Sequence, residues 1–360
     1  MNSRSKKSDL MDSGFIEIDA SQGGQMFRTA LALSAVSLKP VKIINIKKGR
    51  EKPGLQAQHL TTLNALVKLC NAQVKGNNLH STEVEFSPKK ISGQRLTANI
   101  GTAGSTSLLL QSIMLPSLFA DSPITLIITG GTDVPFSPPI QAVKHSLLSV
   151  LSKMNARFKI EIKRHGFMPK GNGLIIFSSQ TSLLPLKPLK LNNFSELDHI
   201  HIYSNSNDLP KEVALLQASS AKKLLEKTID VEIVSEFSNT QNGNGKGSSI
   251  IICGVLQNGS ILEADALGEK NLPAVKVGEL AAKKFLEEFA LQSPVDSHLG
   301  DQLLPFLAVA NGTSEISVTK LTQHMLSNIK VIESFLPTKI QVIGELGEKA
   351  AIIVQGIGLK

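Results

Sequence analysis

Apolar and polar residues along the chain follow two periods, that of a helix and that of a strand. Apolar residues recur every three or four positions in four segments of the first half, which predicts helices over 25–37, 54–70, 105–119 and 139–154. Short runs rich in β-branched residues follow each of these segments and are typical of strands. The strands are expected over 41–46, 72–74, 84–86, 124–129, 158–162 and 173–177.

The same alternation returns near the C-terminus. Helices are expected over 302–310 and 323–335, and strands over 314–318, 340–343 and 351–355. Packed side by side, such βαβαββ units predict an α/β (α+β) fold with several small sheets, each covered by helices.

A segment from about 192 to 294 has a different pattern of predicted elements. It predicts strands over 197–203, 231–234, 250–255 and 260–266 and helices over 210–227 and 274–289, enough for a small inserted α/β domain. The Asn/Gly-rich stretch 239–249 has few apolar residues and is predicted to be a mobile loop. The expected organisation is a flexible tail over 1–15, a main domain over 16–191 plus 295–360, and an inserted domain over 192–294.

Composition limits the class of protein. With 360 residues, 41% of them hydrophobic, and 27 Gly and 16 Pro, the chain has the composition of a soluble globular protein. Gln111 and Pro116 interrupt the longest apolar stretch, so no membrane span is expected. Cys70 and Cys253 both lie in apolar stretches, so no disulfide framework is expected and a reducing cytoplasm is the predicted compartment.

Charge gives a weaker indication of a polyanionic partner. Lys and Arg outnumber Asp and Glu by 38 to 30, for a net charge of +8. All six arginines lie in the first half of the chain, and Arg28 and Arg50 stand beside Gly-rich turns. A guanidinium fork in such a place suits phosphate, although a solvated surface charge explains each arginine taken alone.

Three Gly-rich turns precede predicted helices, over 21–25, 101–105 and 130–133. Helix N-termini present free backbone N–H groups, and glycine lets a phosphate approach the backbone closely. Each turn alone is typical of ordinary loops, but three of them beside the basic loop 47–54 favour an anion-binding site. Neither a GxxxxGK[ST] loop nor a GxGxxG turn after a strand is present, so an ordinary P-loop kinase or dehydrogenase is not predicted.

The histidines carry the remaining candidate chemistry. They do not form a metal-ligand spacing, and no GxSxG elbow is present. His199 and His201 alternate on one face of a predicted strand and are expected to be exposed. His298, Asp301 and Gln302 begin one predicted helix, and His324 stands at the start of the next. Pattern alone favours a capping or surface role for His324 over a catalytic one.

Seven segments taken together resemble the RNA 3′-terminal phosphate cyclase family. They cover most of the chain outside the predicted insert, and they occur in the order of the family. They are GGQMFRTALALS (23–34), KKGREKPGLQAQH (47–59), IGTAGSTSLLLQ (100–111), GGTDVPFSPP (130–139), RHGFMPKGNG (164–173), HLGDQLLPFLAVA (298–310) and QHMLSNIKVIESFLP (323–337).

This resemblance implies a fold of repeated βαβαββ units, like that of an initiation-factor C-terminal domain, with a small inserted domain. It also implies an activity, the ATP-dependent conversion of an RNA 3′-phosphate to a 2′,3′-cyclic phosphate. In such enzymes a histidine takes AMP from ATP and passes it to the RNA 3′-phosphate, and the neighbouring 2′-OH then displaces it. The expected partners are therefore ATP and RNA 3′-phosphate ends, with Mg²⁺ or Mn²⁺ as the metal and no membrane.

The resemblance also implies a role for each of ten residues. The nucleophile falls on His324. The phosphate-binding residues would be Arg28, Lys47, Arg50 and Gln58, and the ATP-binding residues would be Gln111, Pro135 (packed on the adenine), His298, Asp301 and Gln302, with Asp301 also the candidate metal ligand.

The chain departs from the family pattern in its first loop. Family members usually carry an acidic residue ahead of a longer run of glycines, but here Ser21 and Gln22 take that place. We expect Asp19, just before this loop, or Asp301, in a distant segment, to replace the missing acidic residue as a metal ligand. Lys47 stands where bacterial members usually have arginine, which keeps the charge and loses the bidentate fork.

Two other functions stay open from the sequence. One is a non-catalytic relative that binds RNA in ribosome assembly, but such relatives lack the nucleophilic histidine that His324 supplies here. The other is an enolpyruvyl transferase, which is built from similar repeats but does not share these motifs. A fold does not fix a function, so the choice depends on the motifs, and these favour the cyclase.

Overall fold

The computed structural model describes residues 14–180, 184–241, 243 and 245–360. The predicted tail, 1–15, lies outside these residues except for its last two positions. In the described part of the chain, sixteen strands form four sheets of four strands each.

The first sheet comes from one βαβαββ unit. Its elements in chain order are β1 (Ile16–Asp19), α1 (Gly24–Ser37), β2 (Val41–Ile44), α2 (Ala57–Leu69), β3 (Gln73–Lys75) and β4 (Val84–Ser87). The strand order is β1-β2-β4-β3, with β1 and β2 parallel and β4 antiparallel to both of its neighbours. Buried and half-buried residues alternate along β2, so one face of the sheet receives the helices.

The second unit repeats this order. Its elements are β5 (Arg95–Asn99), α3 (Thr106–Ser117), β6 (Ile124–Gly130), α4 (Ile140–Ala142), a π-helical turn (Val143–Leu147), α5 (Leu148–Lys153), β7 (Phe158–Arg164) and β8 (Gly173–Ser179). The strand order is β5-β6-β8-β7. The three helical segments follow one another without a break, and we refer to residues 140–153 as the α4–α5 helix.

The next sheet forms within the predicted insert, after the short strand β9 (Lys190–Leu191). Its elements are β10 (Leu197–Asn207), α6 (Glu212–Leu225), β11 (Glu232–Thr240), β12 (Gly247–Leu256), β13 (Ile261–Leu267) and α7 (Ala274–Ala290). The strand order is β11-β10-β12-β13, and α6 and α7 enclose a hydrophobic cluster of their own against this sheet. This separate cluster supports a domain over 192–294, whose bounds we keep as a proposal.

The remaining elements complete a third βαβαββ unit that begins with β9. They are α8 (Ser297–Val309), β14 (Asn311–Val318), α9 (Gln323–Phe335), β15 (Lys339–Ile343) and β16 (Ala350–Ile357). The strand order is β15-β16-β14-β9, so the insert separates the first strand of this unit from the other five elements. The predicted α/β class with several small sheets is confirmed.

The helices of the three units pack on one another. Helix α1 contacts α3 and α9, and α8 contacts α9. Phe27 of α1, Ile113 of α3 and Ile332 of α9 are completely buried in one hydrophobic cluster that spans all three units. Burial of this shared apolar surface is the main stabilising contribution to the assembly of the units.

A buried amide fixes three of these helices relative to each other. Asn328 on α9 is only 2% exposed. Its Oδ1 accepts a hydrogen bond from Thr29 Oγ1 of α1 at 2.8 Å, and its Nδ2 donates to the carbonyl oxygen of Asp301 on α8 at 3.1 Å. Because both groups of the amide are used, α1, α8 and α9 are held in one arrangement.

Some boundaries differ from those that the sequence pattern predicts. Helix α2 begins at Ala57 and not at 54, because Gly54 has φ 75°, a left-handed conformation. Helix α8 begins at Ser297, five residues before the predicted start, because Asp296 caps it by accepting from the backbone N–H groups of His298 and Leu299. The pattern also missed β1, β5 and β9, which have only four, five and two residues.

The prediction of a mobile loop over 239–249 is wrong at both ends. Strand β11 continues to Thr240 and β12 begins at Gly247. Asn239 Nδ2 donates to Ser206 Oγ and Thr240 Oγ1 donates to Asn207 Oδ1, each at or below 2.7 Å. Polar side chains therefore bridge β10 and β11 where apolar ones are scarce.

Asn328→Ala should lower the free energy of unfolding by about 1–3 kcal/mol, because it leaves a buried hydroxyl and a buried carbonyl without their partner. Urea denaturation followed by circular dichroism measures this. Asn77→Ala, at an exposed position, is the matched control and should stay within about 0.5 kcal/mol of the unmodified protein. Equal stability of the two variants would show that the amide does not hold the helices.

Candidate functional site

A cleft opens where α1, α3, α8 and α9 meet. Its polar lining consists of Gln25 and Arg28 from α1, Thr29 beside them, Gln111 from α3, Asp301 and Gln302 from α8, and Asn328 from α9. Four residues predicted from the sequence, in three different helices, therefore lie in one cleft. The packing of the three units brings them together.

Two amide side chains close one side of the cleft. Gln111 Nε2 donates to Gln302 Oε1 at 3.0 Å, across from α3 to α8. Gln302 Nε2 in turn donates to the carbonyl oxygen of His298, one helical turn earlier, at 2.9 Å. These bonds fix the orientation of both amides and leave Gln111 Oε1 available to a ligand.

Arg28 supplies the main positive charge of the cleft. Burial lowers the pKa of Arg28 to about 10, and the nearby carboxylate of Asp301 opposes this shift. The Nε atom is buried and has no hydrogen-bond partner in the described part of the chain. An orphaned guanidinium N–H in a cleft suits a phosphate oxygen, which would supply the missing acceptor.

Asp301 is the carboxylate that faces this charge. Burial raises the pKa of Asp301 to about 7, against the opposing effects of His298, Arg28 and a hydrogen bond from Gln25. The carboxyl group is therefore more readily protonated than an ordinary aspartate. A cation or a hydrogen-bond donor from a ligand would favour its charged form.

His324 is the second residue of α9, and solvent reaches it. Thr322 caps this helix, because its side chain accepts from the backbone N–H of Met325 at 3.0 Å. Partial burial of the ring and then the positive charges of Arg28, His298 and Arg50 lower the pKa of His324 below its ordinary value. The imidazole is therefore mainly neutral at pH 7, with a free lone pair, at the positive end of a helix dipole.

The basic loop that follows β2 adds two further cations. Burial, and then the charge of Arg50, lower the pKa of Lys47. Behind this loop His59 is buried, and burial together with the charges of Arg28 and Lys47 lowers the pKa of His59 to about 3. His59 is therefore neutral and adds no charge near Arg28 and Lys47.

The sequence analysis did not single out His59 as a site residue. Its Nε2 atom lies so close to Gly24 that a Cβ at that position would stand 2.6 Å from it and 3.2 Å from Nη1 of Arg28. The start of α1 can therefore approach His59 this closely only because residue 24 is a glycine. The only sequence signal was the position of His59 at the end of the basic segment 47–59.

Gln58 lies at a neighbouring junction outside the set that lines the cleft. Its Oε1 accepts from the backbone N–H of Ser105 at 2.8 Å, which joins the start of α2 to the start of α3. Ser105 itself caps α3 by accepting from the N–H of Leu108 at 3.2 Å. A phosphate contact by Gln58 would have to use its Nε2 group.

Pro135 lies in an exposed loop, and no described contact joins it to the cleft. The loop is nevertheless anchored at Asp133, which is 1% exposed. The carboxylate of Asp133 accepts from Ser249 Oγ of β12 at 2.9 Å and pairs with Nδ1 of His165 at 2.7 Å. Burial alone would raise the pKa of Asp133, but His165 and the hydroxyl groups outweigh it, so the pKa is lowered.

The described residues contain no group of three or more His, Cys, Asp and Glu side chains that could hold a metal ion. Asp301 contributes one carboxylate to the cleft. Asp19, the other acidic candidate, is exposed and already accepts from Ser21 N at 2.8 Å and from Asn45 Nδ2 at 2.7 Å. A dedicated protein site for a divalent metal is therefore not formed by these residues.

Two expectations from the sequence, on membrane spans and on disulfides, can be compared with the described residues. Among the described helices, none combines the length and apolar character that crossing a membrane requires. Cys70 and Cys253 are both buried free thiols, in agreement with the expectation of no disulfide between them.

Comparison with known proteins gives a consistent family. A family model described as RNA 3′-terminal phosphate cyclase matches residues 20–342. Similar curated proteins named RNA 3′-terminal phosphate cyclase include one from Methanopyrus kandleri, 37% identical over 95% of this chain and 99% of its own length. Others are from Desulfurococcus amylolyticus, 39% identical over 96% and 99%, and Thermococcus onnurineus, 40% identical over 95% and 99%.

Among solved structures, the enolpyruvyl transferase NikO from Streptomyces tendae aligns with 95% of this chain and 48% of its own chain. The TM-score is 0.38 and the sequence identity is 10%. A likeness at this level carries no inference about function.

The pKa of His324 should lie below 6.5 and should rise when Arg28 is replaced by Met, because one of the nearby positive charges is then removed. The ring resonances of His324, assigned by comparison with His324→Asn and followed by NMR from pH 4 to pH 9, measure both values. Lys330→Met, on an exposed face of α9, is the control and should leave the pKa unchanged. An unchanged pKa in the Arg28 variant would separate Arg28 from the histidine.

Proposed function

The chain belongs to the RNA 3′-terminal phosphate cyclase family, and from this premise we propose that it converts RNA 3′-phosphate ends into 2′,3′-cyclic phosphates with ATP as co-substrate. The proposal depends mainly on one observation at the start of α9, near the cleft residue Arg28. A neutral histidine, His324, stands at a helix N-terminus among the positive charges of Arg28, His298 and Arg50. This combination supports a nucleophilic role for His324, because negative charge on a phosphoryl group would be stabilised there.

We propose that His324 is the nucleophile of the first step. Its ring nitrogen would attack the α-phosphorus of ATP, so that a P–N bond forms while the bond to the pyrophosphate oxygen breaks. The lowered pKa keeps the lone pair available at neutral pH, and Arg28 would bind the phosphate oxygens through its free Nε–H. Lys47 and Arg50 would hold the departing pyrophosphate.

The next two steps transfer AMP and close the ring. An oxygen of the RNA 3′-phosphate would attack the phosphorus of the histidyl-AMP, breaking the P–N bond and forming RNA(3′)pp(5′)A. The 2′-oxygen of the same ribose would then attack the terminal RNA phosphorus and release AMP. Only RNA can complete this last step, because DNA has no 2′-OH.

We assign the nucleotide contacts to residues around the same cleft. Gln111, Gln302 and His298 would surround the nucleotide, and Pro135 would cover the adenine from its anchored loop. A Mg²⁺ or Mn²⁺ ion that arrives with the phosphates of ATP would need few protein ligands, and Asp301, whose carboxylate lies near Arg28, would contact it. No step is derived through a protein-held metal, since the described residues do not form such a group.

His324→Asn should abolish the covalent AMP adduct that the purified protein forms with α-labelled ATP and Mg²⁺ or Mn²⁺ in the absence of RNA. The substituted side chain is solvent-accessible, so the fold should be retained, as circular dichroism can check. His80→Asn, at another exposed histidine, is the matched control and should keep full labelling. An acid-labile, alkali-stable adduct of undiminished yield in the His324 variant would contradict the assignment, and no adduct in the unmodified protein would favour a binding protein.

Arg28→Lys should slow adduct formation by roughly 10²-fold or more, because lysine keeps the charge and loses the guanidinium donors that a phosphate needs. Rapid-quench measurement of the labelled adduct gives this rate directly. Arg157→Lys, in the loop before β7, provides an arginine control away from the cleft and should leave the rate unchanged. Equal rates for the two variants would remove Arg28 from phosphate binding.

A further inference from the structure

A second groove lies away from the cleft, between the α4–α5 helix and the insert. Its volume is about 370 Å³, within the usual range of small-molecule sites. One wall comes from the helix, with His145 and Lys153, and the other from the face of the inserted sheet that α6 and α7 do not cover. The same helix contributes to both sites, because Leu147 lines the cleft and His145 lines the groove.

The sheet wall carries a row of rings. His199, His201 and Tyr203 alternate along β10, so all three point to the same face, while Ile200 and Ile202 point into the cluster beneath. The ring centroids of His201 and Tyr203 are 5.8 Å apart with planes within 13° of parallel. Those of His199 and His201 are 5.0 Å apart in an edge-to-face arrangement, with planes 78° apart.

The helix wall adds a ring to this row. His145 stacks on Tyr203 with centroids 4.0 Å apart and planes within 20° of parallel. Burial, and then the charges of Lys144 and His201, lower the pKa of His145 to about 4, so this ring is neutral. His145 therefore covers one face of Tyr203 and extends the row of rings across the groove.

The polar atoms at the rim are suited to a polyanion with planar bases. Nδ1 of His201 is buried and has no hydrogen-bond partner in the described part of the chain. Lys153 is exposed at the rim, with its Nζ 3.4 Å from the carbonyl oxygen of Asn258. The described residues that line the groove include no acidic one, and the carboxylate of Asp198 just outside it pairs with Nδ1 of His199 at 2.7 Å. The floor beneath the rings is formed by Cys253 and Ile261.

We propose that this groove binds a nucleobase of an RNA strand by stacking on the ring row, with Lys153 contacting the adjoining phosphate. Stacking on aromatic rings accepts any base, and imidazole and phenol rings are common partners of unpaired RNA bases. The identification of the ligand as substrate RNA rests on the proposed function, whereas the affinity for a base rests on the groove itself. The groove would hold a nucleotide upstream of the 3′ end while that end occupies the cleft.

The chain carries its own probe of this groove. Tyr203 is the single tyrosine, and there is no tryptophan. Protein made with 3-fluorotyrosine therefore gives one ¹⁹F resonance, which reports on the ring row without requiring activity. An octaribonucleotide with a 3′-phosphate, an abasic octamer with the same number of phosphates, and AMP would be titrated separately, with a non-hydrolysable ATP analogue present to fill the cleft.

The octaribonucleotide should shift the resonance in a saturable way, and the abasic octamer should not. A shift with RNA but not with AMP identifies a base within a strand, and an equal response to AMP identifies a free nucleotide as the source. The proposal is overturned if RNA and AMP both leave the resonance unchanged, or if the abasic octamer shifts it as much as RNA does.

Variants separate this site from the cleft. His201→Ala should weaken binding of the octaribonucleotide by roughly 5- to 150-fold, as expected for the loss of one stacking partner. His201→Phe keeps a ring and should restore most of the affinity, and His80→Asn should have no effect. Adduct formation from ATP alone should stay unchanged in all three variants. If the Ala and Phe variants lose RNA affinity equally, stacking is contradicted. If the unmodified protein forms no AMP adduct, only the proposed function is contradicted.

Discussion

The arrangement of the cleft depends on the packing of α1, α3, α8 and α9, which belong to three different βαβαββ units. Apolar burial brings these helices together but does not by itself fix their relative position, because the hydrophobic effect is not directional. The side-chain amide of Asn328 adds that direction, since it bonds to Thr29 on α1 and to the backbone of Asp301 on α8. The residues that line the cleft are fixed through the same contacts.

The cleft concentrates groups that are unfavourable for stability and useful for phosphate chemistry. Burial lowers the pKa of Arg28 and raises that of Asp301, so each group is less readily charged than it would be in water. A phosphate would supply the acceptor that Arg28 Nε lacks, so binding energy can be obtained from an interaction that the unliganded protein does not make. Partial burial and the same positive field keep His324 mainly neutral at pH 7.

The insert is linked to the main body by contacts on two sides of the α4–α5 helix. Asp133, in the loop that carries Pro135, bonds to Ser249 on the insert and to His165 on the main body. On the other side, His145 of the α4–α5 helix stacks on Tyr203 of the insert. The α4–α5 helix therefore lies between the cleft and the ring-lined groove, and an RNA strand that contacts both would extend across the boundary between the main body and the insert.

The sequence by itself determined the repeated units and the type of chemistry. The period of apolar residues predicted the fold class and the limits of α9, because amphipathic helices must bury one face, and the seven family segments identified His324 and its neighbours. Prediction from the sequence failed where an element is short or where its limits depend on contacts with other segments. The cap at Asp296 moved the start of α8, and polar cross-strand bonds extended β11 and β12 into the Asn/Gly-rich stretch.

Only the tertiary structure decided which of the predicted residues meet. Arg28, Gln111 and the adjacent pair Asp301 and Gln302 come from three distant parts of the sequence but share one cleft, while Gln58 bonds to Ser105 at another junction. His199 and His201, expected on an exposed strand face, instead form a groove with His145 from another part of the chain. Contacts between distant segments, together with the burial that shifts pKa values, arise only when the units pack, because neither is encoded in any local pattern of residues.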